Sequence, residues 1–320
     1  MTHSSARSFI TTDARGVPVS CDGPGTLASF EQALHEFQSY FGDPLATLDA
    51  ALALDPDFAL GHLFRAIALL LSSEAQYLPA VRENLATAEL LDMNARERRL
   101  ATAARYWANG DLDAARLTFD EILVEYPCDV LALQAAHVTD FYCGDARALR
   151  DRVARVLPRW SESMPGYSYV LGLFAFGLEE CNEYARAEET GRRALEIEPR
   201  DAWAIHAVAH VMEMTGRVDD GIEWLRDREQ DWAPDNGLAF HNWWHLGLFY
   251  LEREDYAGAL DLFDECVYPR SSNLSLQLVD ASALLWRLML LGVDVEDRWQ
   301  RLARDWRAKS GVENGYYAFN

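Results

Sequence analysis

Apolar residues recur every three to four positions along most of the chain, and short polar turns holding glycine or proline interrupt them. This pattern predicts a succession of amphipathic helices joined as hairpins, and alternation of the strand type is lacking. Three stretches share one signature: Leu112 to Pro127, Tyr184 to Pro199 and Tyr256 to Pro269 each open on leucine or an aromatic residue, place an alanine three residues on, and close on a proline. Their starts are 184 − 112 = 72 and 256 − 184 = 72 residues apart. Glycine turns at Gly144 and Gly216 keep the interval, 216 − 144 = 72, and Pro56 extends it backward, 127 − 56 = 71. Each proline ends a second helix and precedes the next first helix, because it has no N–H to donate and disfavours helix in the residue before it. The alanines let antiparallel helices approach closely, while Tyr184 and Tyr256 fill the gap to the neighbouring pair.

Halving the interval gives a unit of about 36 residues, near the roughly 34 of a tetratricopeptide repeat. The predicted fold is all-α: a tetratricopeptide-like α-solenoid of antiparallel helix pairs, wound into a right-handed superhelix with a concave groove, over residues 28–320. Residues 1–27 lie outside the pattern, hold Gly16, Gly23, Pro24 and Gly25, and predict an irregular N-terminal arm. At the other end a polar helix is predicted from Val295 to Lys309. Tyr316, Tyr317 and Phe319 follow it, and such an aromatic cluster is expected to fold back on the last pair or to join two copies as a homodimer.

The first helix of each pair lines the concave side of such a stack, so chemistry is sought there. His206 and His210 are four apart on one first helix, and His241 and His245 are four apart on the next. The register is kept, since 241 − 206 = 35 and 245 − 210 = 35. Residues four apart share a helix face, and neighbouring helices lie roughly 8–10 Å apart, so the four imidazoles should form one patch. Glu213, one turn beyond His210, faces the same way, and Asp280 takes the matching place on the following first helix. His62 and His137 fall near the same face of earlier first helices, and Trp244 flanks the second histidine pair. The helix carrying Tyr167, Tyr169, Phe174 and Phe176 could supply an apolar wall.

Three readings of this patch stay open on the residues alone. It is a groove for a small molecule or peptide, lined by His62, His137, Tyr169, Phe174, His206, His210, His241, Trp244 and His245. It is a transition-metal site, for iron or zinc, held by the four paired histidines with Glu213 and Asp280, and then the centre of a metal-dependent oxidative enzyme. Or it is a buried histidine network in a scaffold that presents its groove to a partner protein. The residues name neither cofactor nor substrate.

Composition narrows the partners. The balance of 29 basic and 51 acidic residues gives a net charge of −22, which repels phosphate backbones and anionic lipid, so neither nucleic acid nor membrane is expected. The longest apolar run, Ala66 to Leu71, is far shorter than a membrane span, and Met1 to Gly16 lacks the apolar core of a signal peptide. Cys21, Cys128, Cys143, Cys181 and Cys266 are odd in number and never in Cys-x-x-Cys spacing, which predicts free thiols in a reducing cytoplasm. Gly-rich phosphate loops, His-Glu-x-x-His and Gly-x-Ser-x-Gly are all lacking, which removes dinucleotide binding, phosphoryl transfer and serine hydrolysis.

At Asp201-Ala-Trp-Ala-Ile-His-Ala-Val-Ala-His-Val-Met-Glu-Met and His241-Asn-Trp-Trp-His the chain resembles the tetratricopeptide repeat protein 38 family and its StaR-like bacterial relatives. Further matching pieces are Gly61-His62, Leu131-Ala-Leu with His137, Phe141-Tyr142, Ser168-Tyr-Val and Val279-Asp280. The resemblance runs from about residue 28 to the end and implies helices beyond Tyr316-Tyr-Ala-Phe-Asn. It carries no established activity. It implies a functional groove at the matching histidines and, through relatives associated with secondary-metabolite gene clusters, an oxidative role.

Overall fold

The computed structural model describes residues 9–309, so Tyr316, Tyr317 and Phe319 lie outside the described residues. Helices follow one another in pairs: α1 (Pro24–Ser39) with α2 (Pro44–Leu54), α3 (Ala59–Leu71) with α4 (Leu78–Glu89), and α5 (Ala95–Ala108) with α6 (Leu112–Glu125). Then come α7 (Val130–Tyr142) with α8 (Ala146–Val156), α9 (Tyr167–Glu180) with α10 (Tyr184–Ile197), and α11 (Ala202–Met214) with α12 (Val218–Asp227). A single turn, α13 (Glu229–Trp232), leads to α14 (Ala239–Glu252) with α15 (Tyr256–Leu262), and α16 (Ser275–Leu290) with α17 (Glu296–Lys309) completes the all-α, tetratricopeptide-like solenoid.

Local chemistry explains the boundaries. After Pro127 and Pro199, Asp129 and Asp201 cap the next first helix, their side chains accepting from the backbone N–H of Ala132 and Ala204. Within a pair the chain reverses through a residue at positive φ, 65° at Gly144 and 68° at Gly216, where a Cβ would be strained.

The N-terminal segment differs from the irregular arm expected of it. Phe9–Thr12 (β1) and Pro18–Cys21 (β2) pair as an antiparallel hairpin, and α1 already begins at Pro24. The Asp13 carboxylate closes the turn by accepting from Arg15 N at 2.8 Å and Val17 N at 2.9 Å. The hairpin then docks on α5, where Glu97 accepts from Ser20 N at 2.8 Å and Arg96 donates to Pro18 O at 2.9 Å. Strands of four residues are too short to show an alternating pattern, and the helix on which they dock lies more than 70 residues away.

The two ends of the stack meet. Gly237 N donates to Tyr40 O at 2.8 Å and the Asn236 amide to Ser39 O at 3.0 Å, joining the end of α1 to the segment before α14. Farther along, Glu74 accepts from Ser275 N at 2.7 Å and from Lys309 Nζ at 2.5 Å. The concave side is thereby narrowed to an apolar cavity of about 420 Å³ among α1, α3, α7, α11 and the segment leading into α16. No described helix is long and apolar enough to cross a membrane.

Asp201 offers a test of how this core treats charge. Its Oδ1 caps α11, accepting from Ala204 N at 2.9 Å, but its Oδ2 is buried with no partner. Burial raises its pKa to about 7, against the opposing pull of the Ala204 and Trp203 backbone. An unfolded aspartate titrates near about 3.9, so the folded state holds a proton that the unfolded state has released across this window. Asp201 therefore weighs least on stability below about pH 4 and destabilises increasingly as pH rises to about 7. Asp201→Asn keeps the cap and should raise the melting temperature at about pH 8, the gain shrinking as pH is lowered toward about 5. Thermal melts across that range check it, and a variant less stable than the parent at pH 8 would contradict it.

Candidate metal centre

Four successive first helices supply the polar groups of one centre. α11 brings His206, His210 and Glu213, α14 brings His241 and His245, α9 brings Glu179 and α16 brings Asp280. α11 and α14 lie side by side, so each histidine of one meets its register partner on the other. His206 Nε2 is 3.1 Å from His241 Nε2, and His210 Nε2 is 3.1 Å from His245 Nε2. One ring nitrogen from each of the four lies within 4.8 Å of all the others.

The opposite edge of three rings faces a carboxylate. His241 Nδ1 donates to Asp280 Oδ2 at 2.7 Å and His245 Nδ1 to Glu213 Oε2 at 3.1 Å. His210 Nδ1 lies 3.3 Å from Glu179 Oε2, an ion-pair distance that is poorly aligned for a hydrogen bond. A carboxylate accepts only, so the ring nitrogen facing it carries the proton and leaves Nε2 as a bare lone pair. Where both rings of a pair are neutral in this tautomer, two lone pairs 3.1 Å apart repel unless a proton or a metal ion stands between them, and at His210 and His245 protonation of His210 would supply the proton. His206 Nδ1 is buried with no partner.

Electrostatics follows from burial and neighbours. Burial, then the charge of the other histidines, pushes His206 and His245 well below the usual histidine range. At His210 burial acts the same way, but the Glu179 carboxylate, with Glu213 and Glu180 beyond it, outweighs it and raises the pKa. Burial lifts Asp280 and Glu213 above the usual carboxylate range, with His241 and His210 respectively opposing. Aromatic rings hold the imidazoles in place: Trp244 stacks on His241 at 5.4 Å and Phe176 on His206 at 5.6 Å. A depression of about 310 Å³, lined by Glu179, Glu180, His210, Glu213, Trp244 and His245, opens the centre to solvent.

Other residues in the sequence reading sit elsewhere. His62 pairs with Asn84 at 3.2 Å, Tyr169 packs beside His35 at 6.1 Å, and Phe174 lies under the Arg186 guanidinium. On α9 it is Phe176 that reaches the histidines, because it stands on the face turned to α11. His137 is fully buried in the wall of the apolar cavity, 6.3 Å from the Trp203 ring, and Trp203 in turn lies 4.9 Å from His206. Glu213 and Asp280 face the Nδ1 edges of the rings and so stand behind the histidines, not among them. Glu179 is missing from the sequence reading although it stands one turn past Ala175, the register equivalent of His210, since 210 − 175 = 35.

No protein-family model matches the chain. Among solved structures it is similar to a tetratricopeptide repeat protein from Parabacteroides merdae, at 14% identity over 78% of this chain and 93% of that one, with a TM-score of 0.50. A thermophilic TPR protein of Thermus thermophilus aligns with 60% of this chain and 100% of its own length, at 20% identity and a TM-score of 0.46. The first likeness shows the fold, a stack of tetratricopeptide-type helix pairs, and the fold alone.

The geometry sets an unusual tautomer. In chelator-treated protein His245 should be neutral with its proton on Nδ1, held there by Glu213. Ring ¹⁵N shifts read this directly: Nδ1 should resonate as a protonated nitrogen and Nε2 as a bare one, and the reverse pattern would break the chain of contacts described here.

Proposed function

We propose that this protein binds a divalent transition ion, iron or zinc, through His206, His210, His241 and His245, so that the ion ties two neighbouring repeats together. The observation that carries this reading is the orientation of the rings: nitrogens of four imidazoles converge within 4.8 Å while three of the rings turn their far edges to carboxylates. Metal-ligating histidines ordinarily donate their second N–H to such a carboxylate, which fixes the ring and raises its basicity. Nitrogens about 2.0–2.1 Å from a tetrahedral ion stand roughly 3.3 Å from one another, close to the 3.1 Å of both cross-helix pairs. Charge is also matched. Four neutral imidazoles add nothing, and Glu179, Glu213 and Asp280 in ionised form supply −3 against +2, leaving −1 around the ion.

Four nitrogen donors complete a tetrahedral site, which in that form binds and braces. The oxidative-enzyme reading needs one position freed for substrate. His210 is the ring best placed to yield it, since its side chain is 22% exposed and borders the open depression, against 3% for His245. In this reading the stretches on which the chain resembles the tetratricopeptide repeat protein 38 family are those that carry the ligands.

Protein purified without a polyhistidine tag or chelator should contain about one ion of iron or zinc per chain by elemental analysis. His210→Ala with His245→Ala should lose it while circular dichroism stays helical. A parent protein that takes up neither metal on dialysis would overturn the proposal, and a double variant that unfolds in the absence of metal would make the histidines structural. Glu213→Gln, which keeps the size of the side chain but removes its charge, should weaken metal affinity by about 10–100-fold without removing a ligand.

A further inference from the structure

On the other side of Trp203 from the histidine centre lies the apolar cavity of the concave side, and it has a chemistry of its own. Its volume is about 420 Å³, within the roughly 300–1,000 Å³ of small-molecule sites. Phe37, Leu71, Val138 and Leu276 give it apolar walls drawn from four different helices. Into this lining come His137 and Trp203. His137 is 1% exposed, and both of its ring nitrogens are buried without a hydrogen-bond partner; the indole Nε1 of Trp203 is likewise unpartnered.

An imidazole left in this state is costly, about 1–3 kcal/mol for each buried polar group without a partner, and native interiors rarely leave one. Burial and the nearby Arg152 hold its pKa down to about 3, so it stays neutral and offers one donor and one acceptor. With the Trp203 N–H this makes two donors and one acceptor in a lining that is mostly apolar apart from Gln134 and the carboxylates of Glu36 and Asp43. A hydroxyl or carbonyl oxygen matches that set. An anionic group does not, because Glu36 and Asp43 are the charged side chains of the lining and no lysine or arginine stands there to pair with it.

We propose that the apolar cavity binds a neutral, largely apolar small molecule carrying one hydroxyl or carbonyl group, with its ring system against the apolar walls and its oxygen at His137 and Trp203. This site is separate from the metal centre and does not depend on it. Trp203 is the wall between the two: it lines the cavity, and its ring lies 4.9 Å from that of His206.

The probes are 2-naphthol and naphthalene, which share a ring system and differ by one hydroxyl. Calorimetry and quenching of tryptophan fluorescence on the full chain, with and without chelator, should show one 2-naphthol bound per chain in both conditions. His137→Leu should weaken 2-naphthol by about tenfold, the loss of one hydrogen bond, and leave naphthalene as tight or tighter. The same variant should melt no lower than the parent, since an unpartnered polar group has been replaced by an apolar one. Val138→Phe, which narrows the chamber and leaves His137 and Trp203 unsubstituted, should exclude both probes. Failure of the parent to bind either probe saturably, or equal loss of both probes in His137→Leu, overturns the proposal. It is overturned too if binding emerges only after Tyr316, Tyr317 and Phe319 are all replaced by serine, for the cavity then belongs to the chain's own end. Absence of metal with 2-naphthol binding intact would sink the metal reading and leave this one standing.

Discussion

The packing of α11 against α14 is the constraint on which the rest of the centre depends. Two helices in the same repeat register bring residue n of one beside residue n + 35 of the other, and at this position both carry histidines. Once four imidazoles are forced into one buried patch, their nitrogens need either shared protons or a shared cation, because unpaired polar atoms in an apolar stack are strongly disfavoured. The helices on either side respond. α9 and α16 each bring a carboxylate to the outer edge of a ring, and Glu213 does the same from within α11. A polar seam thus runs across four first helices, beside a large cluster of buried apolar side chains.

Trp203 and Phe176 divide that interior into two environments. Phe176 stacks on His206 and also meets His137, while Trp203 contacts both of those histidines. Two aromatic rings therefore separate a centre built of histidines and carboxylates from a chamber whose lining is mostly apolar. The same residue type behaves differently on the two sides: His210, beside carboxylates, is pushed toward the protonated form, and His137, beside Arg152, is held neutral.

Much of this is legible in the chain, and the boundary has a physical cause. Helix pairs, their turns at Gly144 and Gly216 and the coincidence of His206 with His241 all follow from local periodicity, which one sequence displays directly. The same counting places Asp280. It does not reveal that Asp280 meets the Nδ1 edge of His241, because register fixes a residue's position on a helix but not which atom it meets. Phe174 and Phe176 are two apart and so face different sides of α9, and choosing between them needs the crossing of neighbouring helices. The hairpin at Phe9–Cys21 and the meeting of Glu74 with Ser275 are beyond reach for another reason: their partners are, respectively, 77 and 201 residues away.

The contacts of Ser39 and Tyr40 with Asn236 and Gly237, and of Glu74 with Ser275 and Lys309, change how the molecule should come apart. An open array of repeats behaves as a line, each unit held only by its neighbours, and can fray one unit at a time from either end. Here the first units are fastened to the last, so loosening one end also strips contacts from the other. Among the described residues the array becomes a loop whose early and late units hold one another. Such long-range fastening slows assembly, since distant segments must find each other before they gain anything, and in return makes loss of structure all-or-none over most of the chain.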